Sequence, residues 1–378
     1  MQTKAVQIAL ATPSIRGHRG VPVMLWGPPG VGKTSVVEAI GEAMGLPVTT
    51  IIASIHDPTD FGGMPIAMGD RVKFLPPSWL VELVEAGDAI LFLDELTTAP
   101  PAVQAALLRL INERRVGELE LPPGVAVIAA ANPPEIGGNE LSEAMANRLV
   151  HLNWNITPDE LVAGMTSGWK KPEPLPPIDP ETHQNAIRKW MSVFASLISR
   201  NTAVASTRPA DGEFAFASPR SWQMAAHLAA TCELVGEVQL GKSPSETFVA
   251  LMVGTLGSGA AMPLIQFIKT IDIPDPREVL DGKVPPPPLE DDALFVLVNE
   301  MFRICMETNQ RERWGKLFEI AARSYPNQMD IVLVPIIRTL RAGGAENAVL
   351  REAIKAHPKI ADELSRKAGN VIAIAQVR

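Results

Sequence analysis

Residues 21–34 read VPVMLWGPPGVGKT. VPVMLW is apolar and uncharged, which predicts a buried strand. Gly27–Thr34 then fits the spacing G-x-x-x-x-G-K-[ST], and TSVVEAIGEAMG continues with helical periodicity to Gly45. A glycine-rich turn between a strand and a helix lets backbone N–H groups wrap closely around phosphate oxygens. The positive end of the helix dipole helps hold the anion. This reading makes Gly27, Pro28, Pro29, Gly30, Val31, Gly32, Lys33, Thr34 and Ser35 the candidates for contact with ATP. Lys33 would reach the β- and γ-phosphates, and Thr34 would ligate Mg2+.

Three more apolar runs lie downstream: VTTIIASI, AILFLDE and VAVIAAANP. Runs rich in Val, Ile, Leu and Ala suit a parallel sheet covered on both faces. Their alternation with helical patterns predicts a doubly wound α/β domain. The third strand ends in Asp94 and Glu95. An acidic pair at the C-terminal end of a strand lies at the ligand-binding edge of such a sheet, which here means beside the loop of a neighbouring strand. Asp94 is therefore a candidate metal group, holding Mg2+ through water, and Glu95 a candidate general base. An acidic pair that merely caps the next helix is the competing reading of these two residues.

After about residue 155 the strand pattern fades. KKPEPLPPIDP, residues 170–180, reads as a linker or stiff loop. Helical tracts follow, interrupted by four prolines within Val284–Leu289. The expected division is an α/β nucleotide-binding domain over 1–155, a helical lid domain over 156–283 and a helical extension over 284–378. The least polar stretch, Phe248–Ile268, is near the length of a membrane span but is broken by Gly254, Gly257, Ser258, Gly259 and Pro263. It reads as two buried helices joined by a turn, with no membrane insertion. The N-terminus lacks the apolar core of a signal peptide. Cys232 and Cys305 are in no C-x-x-C pattern, so a reduced, cytoplasmic protein is expected. A formal net charge of −8 over 378 residues argues against a general polyanion binder.

LDELTTAPPAVQAALLRLINERRV, VIAAANPPE and LSEAMANRLV, in that order, resemble the MoxR-type ATPases of the AAA+ superfamily. DPTDFGGMPIAMGDRVKFLPPSWL resembles that family's insertion within its second helix, and SPRSW at 218–222 resembles its second nucleotide sensor. The resemblance covers about residues 20–230. It implies ATP hydrolysis in a P-loop AAA+ core followed by an all-α lid. It makes Asn132 the residue that orients the lytic water, Arg148 the arginine finger offered to a neighbouring subunit, and Arg220 the second sensor. Arg109, Arg114 and Arg115 compete with Arg148 as the finger. Self-association into a hexameric ring follows from the resemblance, as does a chaperone-like action on a client protein, often one with a von Willebrand factor A domain. A nucleic-acid motor or loader and a slow nucleotide-switched scaffold are the alternatives. VGELELPPGVAVI suggests a short hairpin, and Met64 and Met68 lie in a loop that would face either the ring's pore or the subunit's own sheet.

Overall fold

The computed structural model describes residues 2–13, 17–116, 118–136, 141–341 and 347–368. Along the first part of the chain run α1 (Gln2–Ala11), β1 (Val23–Trp26), α2 (Lys33–Met44), β2 (Val48–Ile52) and α3 (Pro58–Gly62). Then come β3 (Met64–Met68), β4 (Arg71–Leu75), α4 (Ser78–Ala86), β5 (Asp88–Asp94) and α5 (Pro101–Glu113). After these follow β6 (Arg115–Val116), β7 (Leu119–Glu120), β8 (Gly124–Ala131), α6 (Glu143–Ala146) and β9 (Val150–Asn153).

Five strands form one parallel sheet in the order β2-β5-β8-β1-β9. The four expected strands are all present. β9 is the fifth; its four residues, VHLN, are too few and too polar to show a strand pattern by themselves. β1 is buried throughout and β8 is buried from Val125 to Ala131, as strands covered on both faces must be. β3 and β4 form a separate antiparallel hairpin within the insertion, and β6 and β7 form the expected short one, whose Gly117 lies outside the described residues.

The remaining elements are helical: α7 (Pro158–Ser167), α8 (Pro180–Arg200), α9 (Pro219–Leu234), α10 (Glu246–Leu256), α11 (Ser258–Thr270) and α12 (Pro276–Leu280). The chain then forms α13 (Asp291–Thr308), α14 (Arg311–Ser324), α15 (Met329–Arg341), α16 (Ala348–Lys355) and α17 (Pro358–Ala368). Residues 369–378 of the expected helical tract lie outside the described residues. α10 and α11 are the two helices expected from Phe248–Ile268, with Gly257 turning between them at φ 74°. Among the described residues no helix is long and apolar enough to cross a membrane.

The chain forms two compact units. One takes residues up to Trp190, Asn201–Gln239 and Ser243–Gln266. Its sheet core joins Met24, Leu91, Leu93 and Val127 to Leu80 of α4 and Leu107 of α5. The buried face of α1 packs against α9 and α10. α10 also lies on the edge strand β9, where a methyl group on Gly254 would stand 2.1 Å from the His151 carbonyl oxygen. The other unit takes Met191–Arg200, Leu240–Lys242 and the chain from Phe267 onward. Its core gathers Leu297, Met301, Trp314, Phe318, Leu333 and Ile336. There Tyr325 Oη donates to Pro287 O (2.6 Å) and Gln328 Nε2 to Leu289 O (3.0 Å), so the four-proline stretch is fastened to this unit. Both cysteines are free and buried, and burial pushes the Cys305 thiol up to about 12.

The Gly254 contact leaves no room for a side chain. Gly254→Ala should lower stability by about 1–3 kcal/mol through overpacking. Thermal unfolding should then show a midpoint several degrees lower; an unchanged midpoint would mean that α10 lifts from β9 at no cost.

Candidate nucleotide site

The loop Gly27–Gly32 joins the end of β1 to α2. Gly30 and Gly32 have φ of 83° and 77°, the left-handed region that glycine adopts without strain. Among the described residues, no atom outside the adjoining ones lies within 4 Å of where their Cβ atoms would be, so a ligand can approach this backbone directly. α2 has no side-chain cap at its N-terminus, which leaves its first N–H groups to an incoming anion. Gly27 answers a different constraint: a Cβ there would stand 2.3 Å from Trp154 O. Trp154, just after β9, also donates its indole N–H to Val31 O (3.1 Å). The brace under the loop is thus an aromatic residue that sequence reasoning did not single out.

Lys33 brings the loop and the sheet together. Its Nζ donates to Gly27 O (2.7 Å), Pro28 O (3.1 Å) and Asn132 Oδ1 (3.1 Å). Burial holds its ammonium below the ordinary lysine value, and the charges of Asp94 and Glu95 oppose that shift. Thr34 Oγ1 donates to Asp94 Oδ2 (3.3 Å). A hydroxyl and a carboxylate side by side at the loop form a hard-oxygen donor set that suits Mg2+, which takes one or two protein ligands together with substrate phosphates. The sequence reading set the acidic strand beside the loop-bearing strand. Instead β8 lies between them, and Asn132 at its end fills the gap.

Glu95 is exposed, with φ 55°, a conformation uncommon for a residue with a side chain. The neighbouring hydrogen bonds hold it there. Leu96 N–H donates to Ala130 O of β8 (3.0 Å), and Thr98 donates to Glu95 O through both its N–H (3.2 Å) and its hydroxyl (2.8 Å). The Glu95 carboxylate accepts from the hydroxyl of Ser54, which follows β2. Neither Ser54 nor Thr98 carries a motif that could have marked it in advance.

Arg148 lies in the turn between α6 and β9, where its Nε donates to Asn112 Oδ1 (3.0 Å) and its terminal nitrogen to Ala144 O. Burial, then the positive charge of Arg220, lower its pKa. Arg220 is exposed in the first turn of α9, just after the N-cap Ser218. The three other arginines are placed differently. Arg114 is buried and donates to Val125 O (2.9 Å) and Arg19 O (3.3 Å), with its pKa pulled down by burial to about 10. A guanidinium so engaged is a brace of its own subunit. Arg109 pairs with Glu113 on the surface (2.8 Å), and Arg115 is exposed on β6. Met64 and Met68 are exposed on the β3–β4 hairpin rather than packed on the sheet.

Residues 22–149 match the family described as AAA domain (dynein-related subfamily). Midasin of Dictyostelium discoideum is 31% identical over 173 residues, covering 40% of this chain and 3% of that protein. Midasin of Giardia intestinalis is 31% identical over 176 residues, 42% of this chain and 4% of its own length. An uncharacterised protein of Staphylococcus aureus (strain USA300) is 29% identical over 143 residues, 35% of this chain and 54% of its own. The chain therefore spans about half of the bacterial relative and a small part of the Midasins. A crystal structure from Cytophaga hutchinsonii superposes on 68% of this chain and 83% of its own at a TM-score of 0.40 and 18% identity, too loose a likeness to bear on the site. ATPase activity is a property of the AAA+ family, whose members bind ATP and typically Mg2+.

Behind the loop Gly27–Gly32, Trp26 stacks on Phe214 at 4.0 Å and donates to His151 Nδ1 (2.9 Å), while His151 Nε2–H donates to Ala146 O (2.9 Å). The bond accepted at Nδ1 requires neutral imidazole, and burial pulls the His151 pKa down to about 4 against the Ala146 bond, which favours the charged form. A depressed histidine pKa favours the fold above the unfolded value of 6.5, and that advantage declines as pH falls towards 4. Between pH 7 and pH 5 the linkage amounts to about 2 kcal/mol. Urea unfolding of wild type and His151→Gln at both pH values should show the variant losing less stability; equal slopes would exclude His151 as the titrating group.

Proposed function

We propose that this chain is a MoxR-like AAA+ ATPase that hydrolyses ATP as a ring, a hexamer by family resemblance, and remodels a client protein. The observation that carries the reading is the meeting of Lys33, Thr34, Asp94 and Asn132 around one loop, with Glu95 held beside them. The loop backbone would hold the phosphates, and Lys33 would transfer its hydrogen bonds from Gly27 O and Pro28 O to them. Thr34 and Asp94 would hold Mg2+, which would draw charge from the phosphates as a Lewis acid. Glu95 would accept a proton from the attacking water, and the Asn132 amide would orient that water. Glu95 must first leave the Ser54 hydroxyl, so Ser54 opposes premature deprotonation of water.

Arg148 supports the ring. As a finger supplied in trans it would contribute ~10³–10⁵ in kcat, or roughly 4–7 kcal/mol of transition-state stabilisation. A single subunit would then turn over slowly. The helices after residue 156 would serve as the lid, with Arg220 as the second sensor. A von Willebrand factor A domain protein in the cytoplasm is the client that the MoxR resemblance favours.

ATPase assays test this reading. Lys33→Ala should lose nucleotide affinity and turnover. Glu95→Gln should bind ATP but turn over about 10²–10⁴-fold more slowly, as expected for loss of a general base. Arg148→Ala should bind ATP normally and hydrolyse it poorly, and mixing it with Glu95→Gln subunits should restore activity. Wild-type turnover in all three variants would reject the ATPase reading; absence of rescue in confirmed rings would reject the finger in trans.

A further inference from the structure

We infer that Asn147 is a positioning residue whose side-chain amide, hydrogen-bonded to Ser218, holds Arg148 and Arg220 as one fixed pair. The inference rests on the role proposed above for Arg148 and adds a residue to it.

Ser218 is the N-cap of α9. Its Oγ accepts from the Ser221 N–H (3.2 Å) and donates to Asn147 Oδ1 (2.9 Å). Ser221 fixes it in return: the Ser218 N–H donates to Ser221 Oγ (2.7 Å), and Ser221 Oγ donates to Phe216 O (2.9 Å). Asn147 closes α6, with its N–H on Glu143 O (3.0 Å). One side-chain bond therefore joins the turn before β9 to the start of α9, across 71 residues of sequence. Arg148 follows Asn147 directly, and Arg220 stands two residues after Ser218.

The bond links the two segments that carry Arg148 and Arg220. The charge of Arg220 acts on Arg148 strongly enough to lower its pKa, although burial is the larger cause. Among the described residues, no carboxylate forms an ion pair with either guanidinium. Two uncompensated like charges repel, and in this pair the linkage between their segments is a neutral hydrogen bond. Held together, two guanidiniums match an anion with several oxygens, such as the terminal phosphate of a nucleotide. The second Asn147 amide atom, Nδ2, is buried and has no hydrogen-bond partner among the described residues.

A mere brace of the fold and a positioning residue predict different kinetics. We would assay Asn147→Ala, Ser218→Ala, Ser218→Thr and the Asn147→Ala/Ser218→Ala double variant as full-length assembled protein. Asn147→Ala and Ser218→Ala should each lower kcat about 10–100-fold, the scale of a small misplacement, with the KM for ATP within about twofold. The double variant should fall no further, because both changes remove one bond. Ser218→Thr, which keeps the hydroxyl, should turn over like wild type. Ser218→Ala also loses the cap of α9 and should melt a few degrees lower, whereas Asn147→Ala keeps it. Losses in kcat that follow the melting temperatures, or additive losses in the double variant, would overturn the inference. So would wild-type turnover of Asn147→Ala beside an inactive Arg148→Ala. Wild-type turnover of Arg148→Ala would instead reject the reading beneath it, and the inference with it.

Discussion

The backbone hydrogen bonds that hold β8 between β1 and β5 place every group at the candidate site. Trp26 stands level with Ala131, and Leu93 with Ala129. All three strands therefore end at one edge, and the residues that continue them meet there: Gly27 after β1, Asp94 closing β5, Asn132 after β8. A slip of one residue would turn each buried side chain to the opposite face, and near-continuous apolar runs do not by themselves prevent it. The polar termini do. Lys33 bonds Asn132, Thr34 bonds Asp94, and Leu96 N–H bonds Ala130 O, so three contacts made by candidate-site residues or their neighbours also pin the register. Structure and site are specified by the same bonds.

This is why the first 150 residues were legible in the sequence. The loop, the acidic pair and Asn132 each sit where an apolar run stops, and a boundary between apolar and polar residues is a local signal. The strand order is not local. Nothing in AILFLDE or VAVIAAANP states which of them neighbours β1, and the adjacency of β5 to the loop was inferred wrongly for that reason. β9 was missed because VHLN buries a histidine whose hydrogen-bond partners, Trp26 and Ala146, are brought to it only by the fold. Ser54, Thr98, Asn147 and Trp154 were invisible for the same cause. Each acts through bonds to a residue remote in sequence or to a backbone carbonyl, and such bonds leave no spacing to read.

Glu95 shows how a proposed catalytic side chain can be placed at the expense of local comfort. A left-handed backbone at a glutamate is unfavourable, and such conformations persist only where the surroundings over-determine them. Here Ala130 O on one side and the two donors of Thr98 on the other fix the carbonyl and the following N–H. Asp94 Oδ1 accepts from the Glu95 N–H as well (2.8 Å). The Glu95 N–H and carbonyl are both engaged, so the carboxylate is the part left to change partners. Its hydroxyl partner Ser54 follows the edge strand β2.

The insertion between β2 and α4 follows the opposite logic. Phe61 of α3 and Leu80 and Leu83 of α4 are buried in the sheet core, so both feet of the insertion are fastened. Between them the β3–β4 register puts Met64, Ile66 and Met68 on one face and Pro65, Ala67, Val72 and Phe74 on the other. Met64, Met68, Val72 and Phe74 are all exposed, so apolar side chains meet water on both faces. A two-stranded ribbon is marginal in water without a packed face. Its feet therefore hold it in place, while its tip contributes little to the core of the unit that carries it. A segment fastened at its base and unburied at its tip can change its surroundings at little cost to the sheet.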